Sequence, residues 1–372
     1  MKPRFERIFN NGMKKIRIGF FGLAHPHSGA LLNTVLDNAE LFDIVGFAEV
    51  PLPPRDPATY EKRRARFIEK GISEYVDYKE LVSQNLELAI VNTDNGSRAD
   101  VCCELLEAGI NVLGEKPMAA DYSGAERMYH IAKEKGVFML TNWPIAWFPP
   151  FRLAKKLLDE GRIGKLMRVT YRSPATWGPF SGVANEGDAD SWWLKAEQGG
   201  GSILDYACYG AMLSTFMFGK PAERVCGISK QFATAFCDVE DYSAMILDFG
   251  DGVGLLEGSW STYNCGEVPS GPVLHGTKGT IVCDRYSTKL KIYEGLSHAP
   301  VPPVEVIDAG DSVQDKMLAS HIAKVLRGEE EPDEMLRAEI NVAVVAALDA
   351  GRRSAQTGVY EELSKPPDNN YR

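Results

Sequence analysis

Ile16-Arg17-Ile18-Gly19-Phe20-Phe21-Gly22 is a nearly unbroken apolar run ending in glycine, and Leu23-Ala24-His25-Pro26-His27-Ser28-Gly29 follows it directly. A strand covered on both faces needs such a continuous run rather than an alternating one. The segment after it has the parts of an anion-binding turn. Gly22 allows a tight bend, Ala24 is small where a backbone could meet a phosphate, and His27 or Ser28 opens a helix. The free N–H groups of a helix N-terminus attract negative charge. With no ligand, the same turn is an ordinary strand-to-helix connection, so the reading depends on what surrounds it.

Outward from this turn, strand and helix patterns alternate. Strands are predicted over Asp43–Val50, Ser73–Val76, Leu86–Thr93, Asn111–Pro117 and Val137–Asn142. Helices are predicted over Ser28–Asn38, Ala58–Lys70, Tyr78–Gln84, Arg98–Ala108 and Tyr122–Lys135, with Gly109 as the expected residue past a C-cap. Repeated strand–helix units with short connections imply a doubly wound parallel sheet, here over residues 14–142. Residues 143–363 read as a second, α+β domain with a mostly antiparallel open sheet. It has helices at Phe151–Glu160 and Leu204–Phe218, a strand at Leu166–Ser173, and a Trp- and Gly-rich loop over Pro174–Gly201. Strands dominate from Arg224 to Glu294, with Asp251-Gly252 as a hairpin signal. Helices at Gln314–Leu326 and Glu334–Thr357 close the chain, and the Ala- and Val-rich Val342–Ala350 predicts close packing, with the first domain as one candidate surface.

Bulk properties narrow the function classes. A chain of 372 residues predicts two domains. A net charge of −10 repels phosphate backbones, so no nucleic-acid partner is expected. The seven cysteines are scattered without a CxxC pair, which reads as reduced thiols in a cytoplasmic protein. No apolar run approaches the ~20 residues that cross a bilayer, so no membrane partner is expected. The basic N-terminus reads as a short leader before the fold.

In a doubly wound sheet, ligands lie beyond the carboxyl ends of the strands. Gly22, Ala24, His25 and His27 therefore form the first candidate cofactor group, joined on the same edge by Thr93, Asn95, Glu115 and Lys116. Glu49 closes the second strand, where a carboxylate can accept from a ribose hydroxyl and repel a 2′-phosphate. NAD is thus expected over NADP, with Arg63 and Arg64 as the residues that could reach a phosphate. The His25-x-His27 pair could open a metal site, but the other histidines are His130, His275, His298 and His321, two of them on predicted helices. No metal is expected.

Lys116, in Gly114-Glu115-Lys116-Pro117, ends the fifth strand and can stabilise a developing alkoxide. Pro117 would fix that turn, with a cis peptide as one way to do so. This motif resembles the EKP motif of the Gfo/Idh/MocA oxidoreductases (glucose–fructose oxidoreductase, inositol dehydrogenase and relatives). Gly199-Gly200-Gly201-Ser202-Ile203-Leu204-Asp205-Tyr206-Ala207-Cys208-Tyr209-Gly210 resembles the family's GGG-x-x-x-D-x-G-x-H/Y segment, and Gly276-Thr277-Lys278-Gly279-Thr280 a later turn. The resemblance runs from about Lys14 to Leu363. It implies a Rossmann domain, an open-faced second domain, a homo-dimer or homo-tetramer, and hydride transfer between nicotinamide and a hydroxyl-bearing carbon of a sugar, polyol or inositol. By position, Lys116 would steady the substrate oxygen, Asp205 would position the substrate or Lys116, and Tyr209 would be the acid/base.

A phenol has a pKa near ~10 and must be drawn down to act as a base. The Lys116 cation pushes that way. Asp205 and Tyr209, four apart on a predicted helix, share a face. Asn142, Trp143, Trp147, Trp177, Trp192 and Trp193 flank this chemistry and could hold a sugar, while Arg172 and Lys195 could meet an acid group. Two other readings stay open: a glycosidase-like enzyme using transient oxidation, and a non-catalytic nucleotide-binding sensor.

Overall fold

The computed structural model describes residues 14–50, 57–174, 191–263, 268–295, 298–310 and 314–363. The first half alternates β1 (Ile16–Phe21), α1 (Ser28–Leu36), β2 (Phe42–Ala48), α2 (Pro57–Glu69), β3 (Glu74–Tyr75), α3 (Tyr78–Val82), β4 (Leu88–Val91), α4 (Asn95–Glu107), β5 (Asn111–Glu115), α5 (Tyr122–Lys135) and β6 (Met139–Asn142). Its six strands are parallel in the order β3-β2-β1-β4-β5-β6. Strand order reverses between β1 and β4, the switch point where a crevice opens. The apolar run of β1 is buried on both faces: Ile18 and Phe20 join one core cluster and Phe21 the other.

The second half comprises α6 (Pro149–Asp159), β7 (Leu166–Pro174), α7 (Cys208–Phe218), β8 (Arg224–Lys230), β9 (Tyr242–Asp248), β10 (Val253–Ser259), β11 (Val273–Gly276), β12 (Gly279–Val282), β13 (Lys289–Glu294), β14 (Glu305–Asp308), α8 (Gln314–Leu326), α9 (Ala338–Thr357) and β15 (Glu361–Glu362). These strands form a nine-stranded sheet, β14-β13-β12-β11-β7-β10-β9-β8-β15, in which β7 and β10 pair parallel and the other pairs are antiparallel. The architecture is the expected α/β fold: a doubly wound parallel sheet followed by a mostly antiparallel one. Among the described residues, no helix is long and apolar enough to cross a membrane.

Three of the boundaries that differ from expectation have a clear local reason. α4 starts three residues early because the Asp94 carboxylate caps it, accepting from Ser97 N at 2.8 Å. α9 starts late because Asp333 accepts from Met335 N at 3.0 Å, while its carbonyl takes the N–H groups of Leu336 and Arg337, which makes a turn there. The helix expected from Leu204 is a wide π-turn over Ile203–Ala207 before α7 begins.

α9 spans both halves. Ala338, Val342 and Val345 join the cluster holding Met128 and Ala132 of α5, while Val344, Ala347 and Leu348 join the one holding Phe216 of α7. Leu336 O accepts from Thr141 N of β6 at 3.0 Å, and Asn341 Oδ1 accepts from Trp143 Nε1 at 2.7 Å. At its far end, a Cβ on Gly227 of β8 would lie 2.5 Å from Gly351 O, so the helix meets the sheet backbone to backbone.

Candidate active site

Gly22 follows β1 with φ +76°, a left-handed conformation that suits glycine. A Cβ there would meet Thr93 Cγ2 at 2.9 Å and Thr93 N at 3.3 Å. The next carbonyls are held from outside. Arg63 Nη1 donates to Leu23 O at 2.8 Å and also to Ala24 O, which accepts Trp192 Nε1 at 3.0 Å as well. Arg64 is paired with Glu74 at 2.5 Å, so both arginines considered for a 2′-phosphate are engaged within the protein. Glu49 directly follows β2, its Oε1 accepting from Val50 N at 3.2 Å.

Several buried polar atoms at this edge find no hydrogen-bond partner: Asn92 Oδ1 and Nδ2, Ser28 Oγ, Asn95 Oδ1 and His25 Nε2. Unpaired buried polar groups are rare in folded proteins and call for an explanation. Their clustering at the switch point of a doubly wound sheet fits a polar ligand, and Gly22 and Glu49 follow the ends of β1 and β2 at the same edge. Asn95 also reaches across the molecule, donating from Nδ2 to Gly199 O at 2.8 Å.

Glu115, at the end of β5, is fully buried. It accepts from Asn142 Nδ2 at 2.8 Å, from His27 Nδ1 at 3.0 Å and from Lys116 N at 3.3 Å. Burial alone would raise its pKa, but His27, Asn142 and Arg98 outweigh it and hold the carboxyl below its ordinary value. His25 is buried against Trp193, with ring centroids 5.5 Å apart. Its Nδ1 accepts from His27 N at 3.3 Å, which puts its proton on Nε2. Burial keeps this imidazole neutral, well below the usual histidine range. His25, His27 and Glu115 bring one ligand-type atom each within 4.8 Å of one another, a set that could hold a metal. Within that set, His27 Nδ1 and the Glu115 carboxylate are hydrogen-bonded to each other.

Lys116 precedes a cis peptide to Pro117. Its Nζ donates to Asp205 Oδ1 and to Asp205 O, both at 2.8 Å, and stands 4.7 Å from the centroid of the Tyr209 ring. The widened turn at Ile203–Ala207 contributes that carbonyl, and such turns often sit at functional sites. Asp205 Oδ2 takes Trp260 Nε1 at 3.0 Å, so both carboxylate oxygens are held. Burial is the largest single influence and would lower the Lys116 pKa, but Asp205, Tyr209 and Cys208 together outweigh it and hold the ammonium well above its ordinary value. Tyr209 differs from expectation. Lys116 does pull its pKa down, but burial pushes it up by more, and the phenol lies above its usual value.

Lys116, Asp205, Tyr209, His25, His27 and Trp193 line one cavity of about 220 Å³, with Pro26, Tyr206 and Arg285. Other expected substrate contacts lie elsewhere. Trp143 is fully buried, edge-on to Tyr209 at 5.7 Å, and serves the core. Trp147 packs against His321 at 5.3 Å. Arg172 does not join the cavity: it alternates with inward-facing Tyr171 on β7, emerges on the opposite sheet face and pairs with Glu257 at 2.9 Å. Asn142 is spent on Glu115, and Lys195 is not among the cavity-lining residues. Trp177 lies outside the described residues.

Sequence reasoning missed Trp260, Arg285, Arg98 and Glu240, none of which belongs to a local motif. Arg98 is fully buried and ties two loops together, donating to Thr93 O at 3.0 Å and to Pro117 O at 2.5 Å. Glu240 accepts from Ile203 N at 2.8 Å, at the start of the π-turn. Burial lifts its carboxyl from 4.5 to about 7. A carboxyl raised on folding favours the protonated fold, so this stability is full at acid pH and is lost as pH climbs from about 4.5 through 7. Urea melts should show the protein weaker at pH 8 than at pH 5, and Glu240→Gln should shrink that difference. An unchanged difference would remove Glu240 from the pH response.

Comparison with known proteins agrees with this geometry. Residues 22–142 match the model of an oxidoreductase family with an NAD-binding Rossmann fold, and residues 151–282 match the GFO/IDH/MocA C-terminal domain. An uncharacterised oxidoreductase of Schizosaccharomyces pombe is 25% identical over 194 residues, covering 52% of this chain and 50% of its own. The chain thus spans about half the length of that relative. The 1,5-anhydro-D-fructose reductase of Ensifer adhaerens is 27% identical over 311 residues, covering 80% of this chain and 89% of its own. Among solved structures, the WlbA dehydrogenase of Bordetella pertussis, in complex with NADH and UDP-GlcNAcA, superposes with a TM-score of 0.75 at 21% identity over 94% of this chain and 99% of that one. Matched in both halves, and with Lys116 facing Asp205 and Tyr209 from the other half, the chain belongs to the Gfo/Idh/MocA oxidoreductase family, and its first half is that family's NAD-binding Rossmann domain.

Proposed function

We propose that this protein is an NAD-dependent oxidoreductase acting on a hydroxyl-bearing carbon, or its carbonyl counterpart, of a sugar, polyol or inositol-like substrate. The observation that carries the reading is a buried ammonium, held by Asp205 at 2.8 Å, beneath the ring of a buried tyrosine in a solvent-connected cavity. Gly22, Thr93, Asn95 and Glu49 would hold the dinucleotide, which when bound supplies or accepts the hydride. Glu49 and the engaged state of Arg63 and Arg64 favour NAD over NADP. Lys116 stabilises negative charge on the substrate oxygen. Tyr209 gives or takes the hydroxyl proton. The sugar-reducing relative from Ensifer adhaerens supports the substrate class.

Both Lys116 and Tyr209 retain their protons at neutral pH, since each pKa lies above its ordinary value. That form assists carbonyl reduction directly, whereas alcohol oxidation needs the scarce phenolate. The oxidation rate should therefore rise steadily with pH across the neutral range while reduction stays level or falls. A sugar and polyol panel, followed by NADH absorbance with NAD and NADP separately, tests both points. Oxidation that is flat from pH 7 to pH 9 would count against Tyr209 as the base.

His27 lines the same cavity, bonds the buried Glu115 behind it and could move a second proton. It favours, as the second reading, a glycosidase-like cycle with transient oxidation, distinguished by substrate cleavage without NADH accumulation. We further place the protein in the cytoplasm, since the six described cysteines are free. A homo-oligomer would cover the open sheet face, where Ile228 is 53% and Ile246 40% exposed. Light scattering reads its size.

A further inference from the structure

Arg285 enters the cavity from the turn between β12 and β13. The turn is well built. Asp284 accepts from Tyr286 N at 2.9 Å and from Ser270 N at 3.4 Å, and Arg285 N donates to Ser270 O at 3.4 Å. The guanidinium lies 5.4 Å from the centroid of the Tyr286 ring, with Tyr171, Tyr206 and Tyr209 as its other electrostatic neighbours. Among the described residues, no carboxylate or carbonyl accepts a hydrogen bond from it. Lys116, the other cation of the cavity, has its charge matched by Asp205. The Lys116–Asp205 pair is neutral as a unit, so Arg285 leaves the lining one positive charge in excess. A half-buried guanidinium without an anion is costly, and its planar fork matches a carboxylate through two parallel hydrogen bonds.

We propose that Arg285 anchors a carboxylate of the substrate, so that the cavity selects sugar acids or other carboxylated polyols over neutral sugars. This rests on the oxidoreductase reading of the same cavity. One excess charge meets a monoanion. A phosphate monoester, near −2 at neutral pH, would leave a charge unmatched close to Asp205.

The test uses the full chain with NAD and compares D-gluconate and D-glucuronate with D-glucose and D-glucose 6-phosphate, by initial rates and by calorimetric titration. The acids should be preferred. Arg285→Met should raise their KM or Kd about 10- to 100-fold, the loss expected for charged hydrogen bonds, with a smaller change in kcat. Arg285→Lys should recover part of it. Equal use of D-glucose, preference for the phosphate, absence of acid binding, or a Met variant within about twofold of wild type would overturn the proposal. Failure of the parent reading looks different: NAD would not bind, or Lys116→Ala would keep its turnover.

Discussion

Lys116→Ala is expected to lower turnover by about 10²- to 10³-fold, the range seen when a donor to developing oxyanion charge is removed. NAD affinity should stay near wild type, because the Lys116 side chain faces Asp205 and Tyr209 rather than the Gly22 turn. The same substitution should also destabilise the fold. Lys116 is 3% and Asp205 10% exposed in their side chains, so the alanine variant strands a buried carboxylate with Trp260 as its remaining side-chain donor. Removing one member of a buried pair costs about 3–5 kcal/mol. The two effects can be separated. Lys116→Met with Asp205→Asn discards both charges and should recover much of the stability in urea melts, yet stay as inactive as the single variant. If the double variant regained activity along with stability, Lys116 would be a structural residue, and the mechanism would need another electrophile.

Gly22→Val is expected to cost about 3 kcal/mol of stability and most of the NAD affinity. A left-handed backbone costs an L-residue about 1–2 kcal/mol, and more when the side chain is branched at Cβ. The steric problem adds to it, since the first added carbon falls 2.9 Å from Thr93 Cγ2 and 3.3 Å from Thr93 N. Relief would move the turn away from β4, taking with it the Leu23 and Ala24 carbonyls that Arg63 and Trp192 hold. Gly22→Ala should show the same pattern more weakly. Thermal melts with and without NAD provide the check: wild type should gain stability from the nucleotide, and the valine variant should gain little. A valine variant with full NAD stabilisation would show that the nucleotide does not use this turn.

The sequence was most legible where one physical demand acts locally. The apolar run Ile16–Phe21 has to be a strand buried on both faces, and it is. Asp205 and Tyr209, four apart, did come to one side of the chain, although through a π-wide turn rather than the regular helix the spacing suggested. Long-range chemistry was less legible. Trp260 reaches Asp205 across 55 positions, and Arg285 enters from a sheet turn whose sequence carries no signal for a cavity. Arg172 was misplaced because a strand sends alternate side chains to opposite faces, and Tyr171 had already claimed the inward one. Electrostatics was half legible: the sign of the Lys116 effect on Tyr209 follows from charge alone, but the larger effect of burial needs the packed structure.

The way α9 and the segment before it grip both halves bears on how such a protein can diversify. Leu336 bonds the β6 backbone, Asn341 bonds Trp143, and Gly227 and Gly351 bring β8 against the helix, none of them among the residues that line the cavity. The spacing between Lys116 on one sheet and Tyr209 above the other is thus riveted from the rear. Loops at the mouth can be exchanged for new specificities without disturbing that alignment, and a lineage can try new substrates while the spacing of the proposed acid and cation is kept.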